Sequence, residues 1–172
     1  MRYAIIALIM LLCASAQAND PTCYSVVAPN GIDGRIVSHI LDCGVSVEDG
    51  GTLYIRSYGG SSSGGRDLAL MILGRNITVR VVDYCHSACV RLLLTAANVE
   101  ICDGATVGVH RANDNGWRES KEGTLRQVAF YQDHLGQEDY RIIELLLSTP
   151  WNEISYVPEI EWPKNWEPIN CQ

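Results

Sequence analysis

Apolar residues fall along this chain in short runs whose spacing switches repeatedly between the period of a strand and that of a helix. Ile32 to Leu41 puts Ile36, Val37, Ile40 and Leu41 on one helical stripe. Thr52 to Arg56 (TLYIR) reads as a short apolar strand, closed by the turn-rich Ser57 to Gly65 (SYGGSSSGG). Arg66 to Arg75 predicts a helix with Leu68, Met71 and Ile72 on one face. Ile77 to Val82 (ITVRVV) predicts a β-branched strand, and His86 to Ala97 a helix with an apolar centre. Val99 to Ile101 and Thr106 to Val109 are short strands. Glu119 to Leu147 is helical in character with a break near Gly136, and from Ser148 onward tryptophan and proline replace any periodicity. Strands alternating with helices predict an α/β domain, a parallel-rich sheet flanked by helices. No internal repeat, linker or charge block marks a second domain.

The first residues add a compartment. Met1-Arg2 is a short positive start, Ala4 to Ala14 is almost wholly apolar, and Ala16-Gln17-Ala18 has the small-x-small pattern of a signal-peptidase site. The apolar run falls short of the about 20 residues a membrane span needs. A lipoprotein signal modified at Cys13 is the alternative, and bulky Leu12 speaks against it. The expected layout is a signal peptide over 1–18 and a single domain over 19–172, with a core about 32–148 and a Trp/Pro-rich tail over 149–172. Such a chain is exported, periplasmic or secreted, and has no stable membrane span after cleavage.

Composition bounds the partners. The 172 residues are 47% hydrophobic and 19% charged, enough for one domain with a real core. A net charge of -7 argues against a nucleic-acid backbone or an anionic membrane surface as partner. Without Cys13 the cysteines are Cys23, Cys43, Cys85, Cys89, Cys102 and Cys171, an even set that suits disulfides in an oxidising compartment. Sequence does not choose among their pairings. Cys23 with Cys43 is favoured because the two bracket a helix-like stretch, and closing that loop contributes about 3 kcal/mol on the chain-entropy model. A zinc site at Cys85, Cys89 and a histidine lacks a second close-spaced ligand pair, so no metal and no cofactor is expected.

Three places carry chemistry. Ser57-Tyr58-Gly59-Gly60 follows a strand, where glycines turn the backbone and present N–H groups, or simply make a turn. Cys85-His86-Ser87-Ala88-Cys89 also follows a strand and opens an apolar helix. A serine there sits near unpaired N–H groups that stabilise an oxyanion, or is a plain N-cap. His110 ends a strand before a polar loop (RANDNGW); alone it is a core histidine, and beside a serine it is a general base. His86 adjoins Ser87 and is the poorer base, because neighbouring side chains diverge. His39 and His134 lie in helical stretches without a partner motif.

Together, strand, SYGG, helix, strand, CHSAC helix and a strand ending in VGVH resemble the Clp protease / crotonase superfamily. Within it they are most similar to the exported, Clp-protease-like branch with a cysteine-flanked Ser-Ala (CxSAC). The resemblance covers roughly Gly51 to Arg111 and continues more weakly over the following helical stretch. Serine precedes histidine by 23 residues and follows Gly60 by 27, close to Clp-type spacing. It implies a spiral of β-β-α units, Ser87 as nucleophile, His110 as general base, and the backbone N–H groups of Gly60 and Ala88 as oxyanion hole. It further implies a peptide or protein substrate and assembly into a homo-oligomer. Cys85 and Cys89, which flank the serine, are candidates to brace its helix.

The chain also departs from that pattern. The family's orienting aspartate aligns with Ile154 in Ser148 to Val157 (STPWNEISYV), leaving Glu153 or, alternatively, Asn152 next door to orient His110. The family's SPGG is SYGG here, and its glycine-rich acidic close is replaced by the Trp/Pro tail. Three function classes follow: an exported serine peptidase or related acyl hydrolase, a catalytically silent Clp-like domain that binds peptides or a protein, and a crotonase-type acyl-thioester enzyme. Export to a compartment poor in CoA disfavours the last. With His110 as base, activity is expected to rise through about pH 6 to 7.

Overall fold

A computed structural model of the chain describes residues 26–28, 50–114, 117–136 and 139–171. The signal peptide, the Ile32 to Leu41 helix, His39 and the Cys23–Cys43 pairing lie outside these residues. The elements run β1 (Val26–Ala28), β2 (Thr52–Ser57), α1 (Ser62–Ile72), β3 (Thr78–His86), a 3-10 turn (Ser87–Cys89), α2 (Val90–Thr95), β4 (Asn98–Cys102) and β5 (Thr106–Val109). A small hairpin, β6 (Asn113–Asp114) and β7 (Arg118–Glu119), leads to α3 (Lys121–His134), α4 (Arg141–Ser148), β8 (Ser155–Tyr156) and β9 (Trp166–Ile169).

β1, β2, β3, β4 and β9 pair in that order, all parallel; β5 joins β3 in parallel and β8 joins β5 antiparallel. The domain is thus mixed α/β with a curled, mostly parallel sheet and helices packed on it. β3 is the fork. Residues 78–81 pair with β4, whereas Tyr84, Cys85 and His86 pair with Thr106, Val107 and Gly108 of β5. The change of partner follows a bulge: Ile55 faces Val81 but Ser57 faces Cys85, so three residues of β3 oppose Arg56 alone. Arg56 Nε pairs with Asp83 across the bulge at 3.1 Å. The bend carries the end of β3, and the residues after it, away from β4 and toward β5.

Helix starts follow side-chain chemistry. Ser61 caps α1 by accepting the Gly64 N–H at 3.2 Å, which starts the helix four residues earlier than the apolar stripe suggests. Ser120 caps α3 by accepting the Gly123 N–H at 3.2 Å. The helical stretch breaks after His134, whose Nδ1 donates to the Phe130 carbonyl at 2.7 Å and whose ring stacks on Phe130.

The core forms where Leu53, Ile55, Val79, Val81, Val99 and Ile101 of the sheet meet Leu68, Leu92, Leu93, Tyr131, Ile142 and Leu146 of the helices. Leu92 has no exposure at all. Leu92→Ala is expected to cost about 2 to 5 kcal/mol, as lost transfer energy plus a cavity. In urea the midpoint should fall with an unchanged slope; a midpoint within error of the native one would contradict this packing.

The C-terminal stretch differs from the expected aperiodic tail. β9 adds to the sheet edge against β4, Trp166 is buried, and Cys102 is bonded to Cys171. A four-residue edge strand with Pro168 in it carries no alternation long enough to read, and its place comes from pairing across more than 60 residues of sequence.

Candidate active site

The site assembles where the fork in β3 ends. The residues read as one helix from His86 fall into three parts: His86 closes β3, Ser87–Cys89 form a 3-10 turn, and α2 starts at Val90. Ser87 is not an ordinary N-cap. Its φ is +56°, left-handed, where N-cap residues are extended. Among the described residues it is the one non-glycine residue with positive φ. Such a conformation costs of order 1 to 2 kcal/mol and persists where surrounding structure imposes it.

The surroundings are on both sides. Cys85 and Cys89 are joined by a disulfide with Cα atoms 5.3 Å apart, closing a small ring around Ser87. Both sulfurs being in that bond, neither is a thiolate for zinc. On the other side, Ser57 accepts the Gly59 N–H at 3.1 Å and fixes the SYGG turn, in which Gly59 and Gly60 have φ of +97° and +121°. The turn runs hard against the serine. A Cβ on Gly59 would lie 2.6 Å from the His86 carbonyl oxygen and from Ser87 Cβ, and 2.9 Å from the Ala88 nitrogen. Gly65 of α1 meets the Ala88 carbonyl with similar closeness.

Ser87, His110, Gly60 and Ala88 line one cavity of about 620 Å³, together with residues of α1, α2, α3 and the segment leading into the β6–β7 hairpin. The cavity brings all four together although they come from three places in the chain, the SYGG turn, Ser87-Ala88 and the end of β5. His110 follows β5 directly and is 9% exposed. Burial holds its imidazole below the ordinary histidine range, against a smaller opposite pull from the backbone of Arg111 and Trp151.

The orienting partner is a different matter. Glu153 and Asn152 are exposed, and His110 Nδ1 is buried with no hydrogen-bond partner. The structure does not bring either side chain to the imidazole. β8 pairs Gly108 with Tyr156 and Val109 with Ser155, which sets Ile154 beside the end of β5; its Cγ2 stands 2.5 Å from where a Gly108 Cβ would be. An apolar side chain therefore occupies the stretch in which an acid was sought. Arg111 secures this segment: its backbone N–H and its Nε both donate to the Thr149 carbonyl, and its guanidinium pairs with Glu119 at 3.1 Å.

His86 is engaged elsewhere. Its Nε2 hydrogen-bonds Thr106 Oγ1 at 2.9 Å, and its ring sits among Tyr58, Tyr84 and Tyr156. Burial, and then the nearby His110, push its pKa down.

Comparison with known structures matches the fold. ClpP1 from Listeria monocytogenes aligns over 88% of this chain and 94% of its own, with a TM-score of 0.62 and 17% identity. The fold is Clp protease-like. A single-residue mutant of the same ClpP1 aligns over 81% of this chain and 85% of its own, with a TM-score of 0.58 and 17% identity. No protein-family model matches the chain, and no curated protein matches it by sequence. Among the described residues no helix of this Clp-like domain is long and apolar enough to cross a membrane.

One cavity residue escaped the sequence reading. Arg91 of α2 is 3% exposed and lines the same space. The signal was there, a lone cation inside the apolar run Val90 to Leu94, but a helix with an apolar centre absorbed it.

Proposed function

We propose that this protein is an exported serine peptidase or related acyl hydrolase, with Ser87 as nucleophile and His110 as general base. The observation that carries the reading is the strained Ser87, held by a disulfide and the glycine turn in the cavity that His110, Gly60 and Ala88 also line. Ser87 Oγ attacks the carbonyl carbon of a peptide or ester while its proton passes to His110. The oxyanion is met by the N–H groups of Gly60 and Ala88. The leaving amine or alcohol departs with that proton, and water then hydrolyses the acyl-enzyme. Export is supported by the N-terminal pattern and by two disulfides among the described residues. Exposed Trp117 and Leu125 support assembly into a homo-oligomer.

A second reading, a catalytically silent Clp-like domain that binds peptides or a protein, is favoured by one observation: among the described residues no carboxylate or other side chain hydrogen-bonds His110 Nδ1, and only the backbone of Arg111 and Trp151 draws on the ring. An imidazolium formed in the transition state would then lack its usual stabilisation. A fluorophosphonate probe separates the two. Labelling of the native chain that disappears in Ser87→Ala supports the hydrolase; no labelling, or equal labelling of both, leaves the binder.

The pH profile is a further expected outcome. Base catalysis needs neutral His110, and burial favours the neutral form, so labelling should rise with a midpoint below the ordinary histidine value of about 6.5. This lies lower than the unperturbed reading of the sequence. Stability follows the same sign. The unfolded chain binds a proton near pH 6.5 that folded His110 refuses, so folding stability is full above that pH and declines below it. A labelling midpoint at or above 7 would count against His110 as the base.

A further inference from the structure

Arg91 stands in the first turn of α2 and lines the cavity that Ser87 and His110 also line. One terminal nitrogen donates to the Ser62 backbone carbonyl and to Ser62 Oγ, and the group lies over the Phe130 ring at 5.5 Å. Nε is buried with no hydrogen-bond partner.

Among the described residues no carboxylate accompanies this cation. The residues lining the cavity include no aspartate or glutamate. The charged and titratable groups that act on Arg91 are Tyr131, Arg66 and Arg126. The Tyr131 phenol is fully buried and pushed up to about 12, so it is neutral near pH 7 and supplies no countercharge. Arg66 and Arg126 add positive potential. A guanidinium remains charged under these conditions, and taking one out of water without an anion is costly. Tying α2 to Ser62 would need only a neutral donor such as an amide.

We propose that Arg91 makes the cavity a carboxylate-binding pocket, so that the ligand placed beside Ser87 is a peptide bearing an acidic side chain or a free C-terminal carboxylate. The planar fork of arginine matches a carboxylate in two parallel hydrogen bonds. Ser62 and Gln127 line the same cavity with neutral polar side chains. As a substrate preference this rests on the peptidase reading above; as a binding site it does not.

The test uses the full chain carrying Ser87→Ala, so that binding is read without turnover. Calorimetry at low salt compares N-acetyl-Ala-Ala-Glu-amide with its Gln isostere, and N-acetyl-Ala-Ala-Ala acid with its amide. The charged member of at least one pair should bind about tenfold or more tightly. The pair that shows it tells a side-chain carboxylate from a chain terminus. The advantage should vanish in Arg91→Met and fall several-fold in Arg91→Lys, which keeps the charge but not the fork. Equal affinity within both pairs, including no binding of any of the four, overturns the proposal. So does a preference left intact by either substitution, and the lysine variant decides the matter if the methionine variant does not fold. Fluorophosphonate labelling of the native chain runs in parallel. Labelling without a charge preference sinks the pocket and keeps the peptidase; a charge preference without labelling does the reverse.

Discussion

Ser87→Ala should reduce fluorophosphonate labelling to background and lower peptide or ester hydrolysis on the order of a hundredfold. The size of the second effect comes from what His110 lacks. In a complete triad the serine is worth roughly a millionfold, and loss of the orienting acid alone forfeits roughly ten-thousandfold. With no side-chain partner on His110 Nδ1 among the described residues, a peptidase built on this site would start near that lower level, with only the remaining hundredfold left to lose. Hydrolysis unchanged in Ser87→Ala would place the chemistry elsewhere. Ser87→Gly sharpens the experiment. It should be as inactive as the alanine variant, yet about 1 kcal/mol more stable than it, because glycine adopts φ of +56° without the Cβ clash. A stability order reversed between the two would show that the left-handed serine is not a strained residue.

Gly59→Ala is expected to damage both stability and labelling. Its Cβ would press on the backbone of His86 and on Ser87 at 2.6 Å, in a residue whose φ of +97° already excludes side chains. Conformational strain and overpacking together cost about 3 kcal/mol. For a domain of this size that lowers the melting temperature by roughly 6 to 12 °C. Gly74→Ala is the control. Gly74 shares the positive φ, at +73°, but nothing lies within 4 Å of its Cβ, so it should lose only about 1 kcal/mol. Equal losses at the two positions would mean that the approach of the SYGG turn to Ser87 contributes nothing.

Much of this was legible from one dimension because the signals are local. The β-branched run in β3, the apolar faces of α1 and α2, and the turn glycines report the same alternation that the sheet and helices show. The strand over Thr106–Val109 and the break after α3 appear at the residues their composition suggests. SYGG, CHSAC and VGVH could be recognised because each is a strand end whose geometry needs those residue types within a few positions. The Clp-like fold followed from their order.

What stayed hidden depends on pairings between distant residues. Hydropathy in Ser148 to Gln172 carries no period, so nothing local announces that β9 lines up with β4 or that Cys171 meets Cys102. Nor does spacing say that β8 lies antiparallel to β5 with Ile154, rather than Glu153 or Asn152, against its end. Arg91 looks like one polar position in an apolar helix until α1 and α3 close around it and leave it, among the described residues, with no anion. Periodicity and turn chemistry are properties of neighbours along the chain, and they suffice for elements and strand-end motifs. Left-handed strain at Ser87, an unpartnered imidazole nitrogen and an unpaired buried guanidinium are properties of neighbours in space, and they arise only when the packed sheet and helices exclude water and choose each group's partners.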